Sequence, residues 1–274
     1  MTTAAADFGI NSYSYIYDTD ALGFLQRVHQ LGFSRFELMA FPGHLWPGEA
    51  TSAQKQAIRK YVGDNGLVVS TLNQPNIDIN IAGASPEMRR YSLDVIAGII
   101  ELAGEIGCAN VIVGPGKANG LLSAPLELLA SRFFDGLDFL LPVAKRAGVN
   151  VLVENMPFAF LPDAQGLLAA LERYGDPGIG VVYDIANGAF IGADVAAELE
   201  LLSPRLKYLH VSDTTRARYD HAAIGLKNSV IDFTALAAPV GRLDLLGPPI
   251  IEVISASPDG DIRESAAKLS ALGW

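Results

Sequence analysis

The chain has 274 residues, half of them hydrophobic, which suits one large α/β domain or two small ones and supplies a substantial core. A net charge of −10 and a pI near 4.8 repel phosphate backbones, and with no basic block to offset them nucleic acid is not an expected partner. No apolar run reaches the roughly 18 residues of a membrane span, the opening MTTAAADFGI carries no leader pattern, and the single cysteine allows no internal disulfide. A cytoplasmic protein without membrane contact is the expectation. Cys108, in EIGCANVIV, reads as a small buried hydrophobe rather than a catalytic thiol.

In chain order, eight short apolar runs read as strands: FGINSYSY, RFELMA, LVVSTLNQ, ANVIVGPG, NVLVENMP, IGVVYDIANG, LKYLHVSD and PPIIEVIS. Longer amphipathic stretches separate them. Ser85-Pro86 opens the helix of SPEMRRYSLDVIAGIIELAGEIG, while Gly107 and Gly148 close this helix and the next. After LKYLHVSD the pattern predicts a long loop and then a short helix around DFTALAAP. Strands alternating with helices over about 250 residues predict a (β/α)8 TIM barrel. A doubly wound sheet would show a Gly-rich phosphate turn after its first strand, and NSYSYIYDTD has none. GPGKANG also lacks the phosphate-loop pattern. With no Pro/Ser-rich linker, residues 1–274 read as one domain.

Active sites of such barrels lie at the C-terminal ends of the strands. Glu154 follows NVLV, Asp184 follows IGVVY, His210 follows LKYL and Glu252 follows PPII, at separations of 30, 26 and 42 residues. That spacing is one βα unit, or one unit with an extended loop. Each residue alone has a plainer reading: Asp184 or Glu252 as a helix cap, His210 as a hydrogen-bonded structural residue. Four at matching depth on four consecutive strands instead predict a shared site for a divalent ion, Mn²⁺ first, with Mg²⁺, Co²⁺ or Zn²⁺ as alternatives. An ion also offsets the repulsion of three neighbouring acids.

VLVENMP, VVYDIANG, YLHVSDT with the later IG…IDF, and IIEVIS together resemble the sugar phosphate isomerase/epimerase group of xylose isomerase-like barrels. That group includes ketose 3-epimerases, hydroxypyruvate isomerase, inosose isomerases and dehydratases and, more distantly, endonuclease IV. The resemblance implies Glu154, Asp184, His210 and Glu252 as metal ligands, with Glu154 and Glu252 also exchanging the substrate's proton. It further implies that Asp213 and Arg216, in the His-x-x-acid-x-x-Arg pattern, belong to the site and that Arg216 contacts substrate oxygens. One position departs: many members have a histidine where this chain has Asn187, which donates a hydrogen bond but shuttles no proton at neutral pH. Endonuclease IV needs several more histidines, and the third and fourth strands end without any.

The expected activity is proton removal beside the carbonyl of a small carbohydrate or polyol, through a metal-stabilised enediolate, giving an isomerase or epimerase. Loss of a β-hydroxyl would make it a dehydratase or lyase instead, and an accessory barrel without turnover is a reading of another class. His44 with Trp46, Glu37, Lys117 and His221 are further candidates to line the substrate pocket, each with a purely structural alternative. Arg218 reads equally well as surface. PLELLASRFFDGLDFLLPVA reads as barrel packing, with a homo-oligomer face as the alternative.

Overall fold

A computed structural model describes residues 8–74 and 78–274; residues 1–7, most of the opening stretch read for a leader, and residues 75–77 lie outside that range. Each predicted strand is present, trimmed to its apolar centre: β1 Gly9–Asn11, β2 Arg35–Met39, β3 Val68–Asn73, β4 Asn110–Val113, β5 Asn150–Glu154, β6 Gly180–Asp184, β7 Leu206–Val211 and β8 Ile250–Ile251. They pair in parallel in sequence order, and β8 closes on β1. The closed (β/α)8 barrel expected from the alternation is the fold.

Around it run α1 Ala21–Gln30, α2 Ser52–Asp64, α3 Pro86–Ile106, α4 Leu126–Ala147, α5 Ala164–Tyr174, α6 Ile185–Ile191, α7 Val195–Leu202, α8 Phe233–Val240 and α9 Pro258–Ala271. Local chemistry sets their ends. Ser85 accepts the Met88 amide to start α3, and the helix stops at Gly107, whose φ of 82° suits glycine. Two strands end sooner than their apolar runs suggest. After β1, the Asn11 side chain accepts the Tyr13 amide at 2.6 Å and turns the chain into a 3₁₀ segment, Tyr13–Tyr15. After β6, Asp184 caps α6 by accepting the Asn187 amide at 2.7 Å. The irregular connection after β7 is a long loop, pinned by a single antiparallel bridge between Asp213 and Ala222.

Two cores result. The larger fills the layer between strands and helices. The smaller lies inside the barrel, where Ile112, Leu152, Val182, Tyr208 and Ile250 meet. Gly180 also points inward there. A Cβ on it would sit 2.7 Å from the Leu152 side chain and 2.6 Å from that of Lys207, so the floor is tight at this point. Side chains two apart on a strand share a face. Leu152, Val182, Tyr208 and Ile250 therefore form a platform directly beneath Glu154, Asp184, His210 and Glu252.

Leu152, 1% exposed, is the clearest probe of that platform. Leu152→Ala should lower unfolding stability by about 2–5 kcal/mol in urea titration. A loss below about 1 kcal/mol would mean that the floor relaxes and does not hold the layer above it.

Candidate metal centre and active site

The four residues meet. One ligand atom from each of Glu154, Asp184, His210 and Glu252 can be chosen so that all lie within 4.8 Å of one another, and all four residues are buried. His210 is the hub. Its Nδ1 lies 2.9 Å from Glu154 Oε1, 3.0 Å from Glu252 Oε2 and 3.9 Å from Asp184 Oδ2. Its Nε2 lies 3.0 Å from Glu37 Oε2. Glu37 is itself held by Asn11 at 2.6 Å, Asn73 at 3.1 Å and the Thr71 hydroxyl. With a cation bound, a carboxylate behind the ring that accepts the Nε2 proton would leave the Nδ1 lone pair free to ligate.

Asp184 serves two purposes through its two oxygens. Oδ1 caps α6, and Oδ2 is buried without any hydrogen bond. An unsatisfied buried carboxylate oxygen is costly. Beside two further carboxylates and an imidazole nitrogen it fits a divalent cation of the oxygen-preferring kind. The electrostatics agree. Burial pushes Asp184 up to about 6 and also raises Glu154, despite the nearby His210. Burial alone would lower His210, but Glu37, Glu252 and Glu154 more than offset it and hold its pKa well above the ordinary value. In the chain by itself, a protonated His210 is the positive charge the acids require.

Above this set opens a cavity of about 410 Å³. Glu154 and Glu252 reach into it, while Asp184 and His210 lie beneath. Its walls are largely apolar and aromatic, with Tyr13, Met156, Phe158, Tyr219 and Ile254, and Asn187, His221 and Lys117 also line it. A directional hydrogen-bond chain fixes one wall. Asn155, the residue after Glu154, clasps the Asp184 backbone through both side-chain atoms, at 2.7 and 3.1 Å. Its carbonyl accepts the Asn187 Nδ2 proton at 2.8 Å. That orients Asn187 Oδ1 toward Tyr219, whose hydroxyl donates to it at 2.7 Å. His221 Nε2, 2.9 Å from the Tyr219 oxygen, then donates. The other ring nitrogen, Nδ1, lies 3.1 Å from the Ser212 hydroxyl. Burial, with Asp184, Glu252 and Glu154 nearby, raises the Tyr219 phenol, so it keeps its proton.

Asn187, His221 and Lys117 thus stand at the cavity, as the sequence suggests, but four other candidates are placed elsewhere. Glu37 is fully buried behind His210, because three neutral donors and the imidazole draw it inward. Asp213 is also fully buried. It accepts the amides of Thr214, Gly225 and Leu226 and the Ser229 hydroxyl, and so organises the loop after β7. Arg216 is exposed and lies over Gly192, where a Cβ would come within 2.9 Å of its guanidinium. His44 is tied to the Thr19 carbonyl at 2.7 Å and to Ser12 Oγ at 2.9 Å, and with Trp46 it borders a separate cavity against α1 and α2. Sequence reasoning passed over Tyr219, Phe158 and Asn155. Only Asn155 left a signal there, as the polar residue next to Glu154 in VLVENMP.

The raised groups set a pH dependence. An acid with a raised folded pKa lends stability that is whole below its unfolded value and lost as pH rises through its folded value. For Asp184 that window runs from 3.8 to about 6. Glu154 acts in the same direction. Protonated His210 lends stability that is lost above 6.5, through its raised value. Glu37, lowered by His210 despite its burial, acts oppositely, but only below 4.5. Chelator-treated protein should therefore melt at progressively lower temperature from about pH 5 to about pH 8, and Glu154→Gln should flatten the fall. Calorimetric scans across that range check it; a profile rising with pH contradicts it.

Comparison with known proteins follows the geometry. The family model described as xylose isomerase-like TIM barrel matches residues 25–272. An uncharacterized protein of Methanocaldococcus jannaschii is 22% identical over 81% of this chain and 75% of its own. The L-ribulose-5-phosphate 3-epimerase UlaE of Salmonella paratyphi C is 27% identical over 78% of this chain and 74% of its own. A crystal structure of a D-tagatose 3-epimerase-like protein superposes with a TM-score of 0.82 at 19% identity, covering 97% of this chain and 98% of that one. With nearly its whole length under one family model, the chain belongs to the xylose isomerase-like TIM barrels.

Proposed function

We propose that the chain is a divalent-metal-dependent isomerase or epimerase of small keto sugars, with Mn²⁺ as the leading candidate ion. The observation that carries this is the pair Glu154 and Glu252. Both flank His210 Nδ1 within 3.0 Å and both open onto the cavity, beside the unbonded Asp184 Oδ2. The names of a sequence relative and a structural neighbour, L-ribulose-5-phosphate 3-epimerase and D-tagatose 3-epimerase-like protein, support the same chemistry.

Glu154, Asp184, His210 through Nδ1, and Glu252 would hold the ion. When bound, it supplies a positive centre that polarises a carbonyl and its neighbouring hydroxyl and lowers the acidity barrier of the adjacent carbon. Everything else falls to side chains. Glu154 ends β5 and Glu252 directly follows β8, with β6 and β7 between them, so their carboxylates approach the cavity from separated points on the rim. One takes the proton from carbon on a carboxylate oxygen, and the other returns a proton from its own side. Burial raises Glu154, which makes it more basic than an ordinary carboxylate and suits the role of base. Asn187 has its carbonyl and one amide proton engaged, so it steadies Tyr219 and shuttles no proton. The aromatic walls exclude water from the carbanionic carbon.

Incubation of Mn²⁺-loaded protein with ketoses in D₂O, followed by NMR, tests the reading. Deuterium should enter the carbon beside the carbonyl together with epimer or isomer. Glu154→Gln and Glu252→Gln should each reduce the exchange by about 10²–10⁴-fold. Undiminished exchange after chelation sinks the proposal, and a dehydrated product moves the chain to the dehydratase branch. Asp184→Asn separates ligation from folding. Asn caps a helix about as well as Asp and removes a buried acid, so metal-free stability at neutral pH should hold or rise while Mn²⁺ affinity falls by at least about tenfold. Titration calorimetry and thermal melts read the two effects.

A further inference from the structure

The names of similar proteins leave open whether the sugar is phosphorylated, and the structure speaks to that. (β/α)8 barrels commonly hold a phosphate with the loops after the seventh and eighth strands and a helix N-terminus. This chain puts its own carboxylates in both places. After β7, the buried Asp213 already accepts the amides of Thr214 at 2.9 Å, Gly225 at 2.9 Å and Leu226 at 2.8 Å, and the Ser229 hydroxyl at 2.5 Å. These loop donors are committed to a carboxylate of the chain itself, and none of them lines the cavity. After β8, the first turn of α9 carries Asp259 and Asp261, which oppose an anion at that helix end.

The cavity itself offers little positive charge. Among the described residues lining it, Lys117 is the single Lys or Arg, and it already lies in the field of Asp78. Glu154 and Glu252 add negative charge from the floor. Arg218 pairs with Asp220 at 3.0 Å, and Arg216 lies over Gly192 outside the lining. The cavity also carries an aromatic shelf. Phe158 is 62% exposed. Its ring stands perpendicular to that of Tyr219 at 5.4 Å, and both rest on Phe190, at 6.1 and 5.2 Å. An exposed phenylalanine braced by two rings at a cavity mouth is a surface for the C–H face of a ligand.

We infer that the site takes an uncharged, unphosphorylated keto sugar whose end remote from the four ligands packs on Phe158 and Tyr219. The inference rests on the keto-sugar reading above and adds the class of sugar to it.

The test pairs L-ribulose, D-fructose and D-tagatose with their terminal phosphates in calorimetric titrations of the Mn²⁺-loaded full chain. At least one neutral sugar should bind about tenfold or more tightly than its phosphate. Inorganic phosphate at millimolar concentration should not compete. Phe158→Ala should weaken the neutral sugar by about 3- to 10-fold, with metal content and melting temperature unchanged. Equal or tighter binding of the phosphorylated partners, competition by inorganic phosphate, or binding by none of the neutral sugars overturns the inference. Proton exchange in D₂O on the same samples keeps the two claims apart. A binding preference for neutral sugars without exchange defeats the isomerase reading alone, whereas exchange favouring the phosphates defeats the substrate class alone.

Discussion

Three carboxylates and an imidazole share a space a few ångströms wide with little access to water, and this constraint governs the rest of the molecule. Like charges at such distances repel strongly in a medium of low dielectric. The arrangement survives because His210 stands among them with Glu37 bonded to its far nitrogen. Removing Glu37 would free the ring to rotate or to choose the other tautomer. The three donors that hold Glu37 come from β1 and β3, on the other side of the barrel. Orientation of one ring on β7 thus depends on residues from β1, β2 and β3, which is one reason the barrel must be closed. The isoleucine, leucine, valine and tyrosine platform below completes the support by fixing how deep each ligand sits.

The ligand set was legible because it obeys rules that sequence carries directly. Strand period places residues two apart on one face, and barrel topology sends the ends of successive strands to one rim. Those rules predict Glu154, Asp184, His210 and Glu252 together, and in the structure their ligand atoms converge. The competing reading of Asp184 as a helix cap is equally true, since one carboxylate has two oxygens and uses them differently. What sequence did not carry is the course of the loop after β7. Asp213 follows His210 by three residues, yet its side chain turns into the loop and collects amides up to 13 residues ahead. Tyr219 and His221 return to the rim because that loop folds back. No periodicity predicts such a return.

The Asn187 position shows how a substitution is absorbed. A histidine there would bring a third titratable ring, after His210 and His221, against the acids. Asparagine instead links two neighbours: its amide hydrogen reaches Asn155, which clasps the Asp184 backbone, and its carbonyl fixes the Tyr219 hydroxyl. The phenol in turn meets His221, which lies 3.6 Å from Asp184 and 3.9 Å from Glu252. The wall so formed is directional, each donor meeting one acceptor. It presents a ring to the cavity where a charged donor would otherwise stand.

An aromatic mouth fits the charge of the whole molecule. With ten more acids than bases, the chain repels anions at long range and attracts divalent cations. The same field that favours filling the ligand set works against a phosphorylated sugar entering above it, unless the pocket supplies local cations. Here the amides of the loop after β7 are bound to Asp213, Lys117 is the single Lys or Arg among the described residues lining the cavity, and the mouth is aromatic. A neutral sugar avoids the conflict. It meets no repulsion on approach, loses little hydration at its C–H faces, and brings its carbonyl to the one part of the pocket where charge is concentrated.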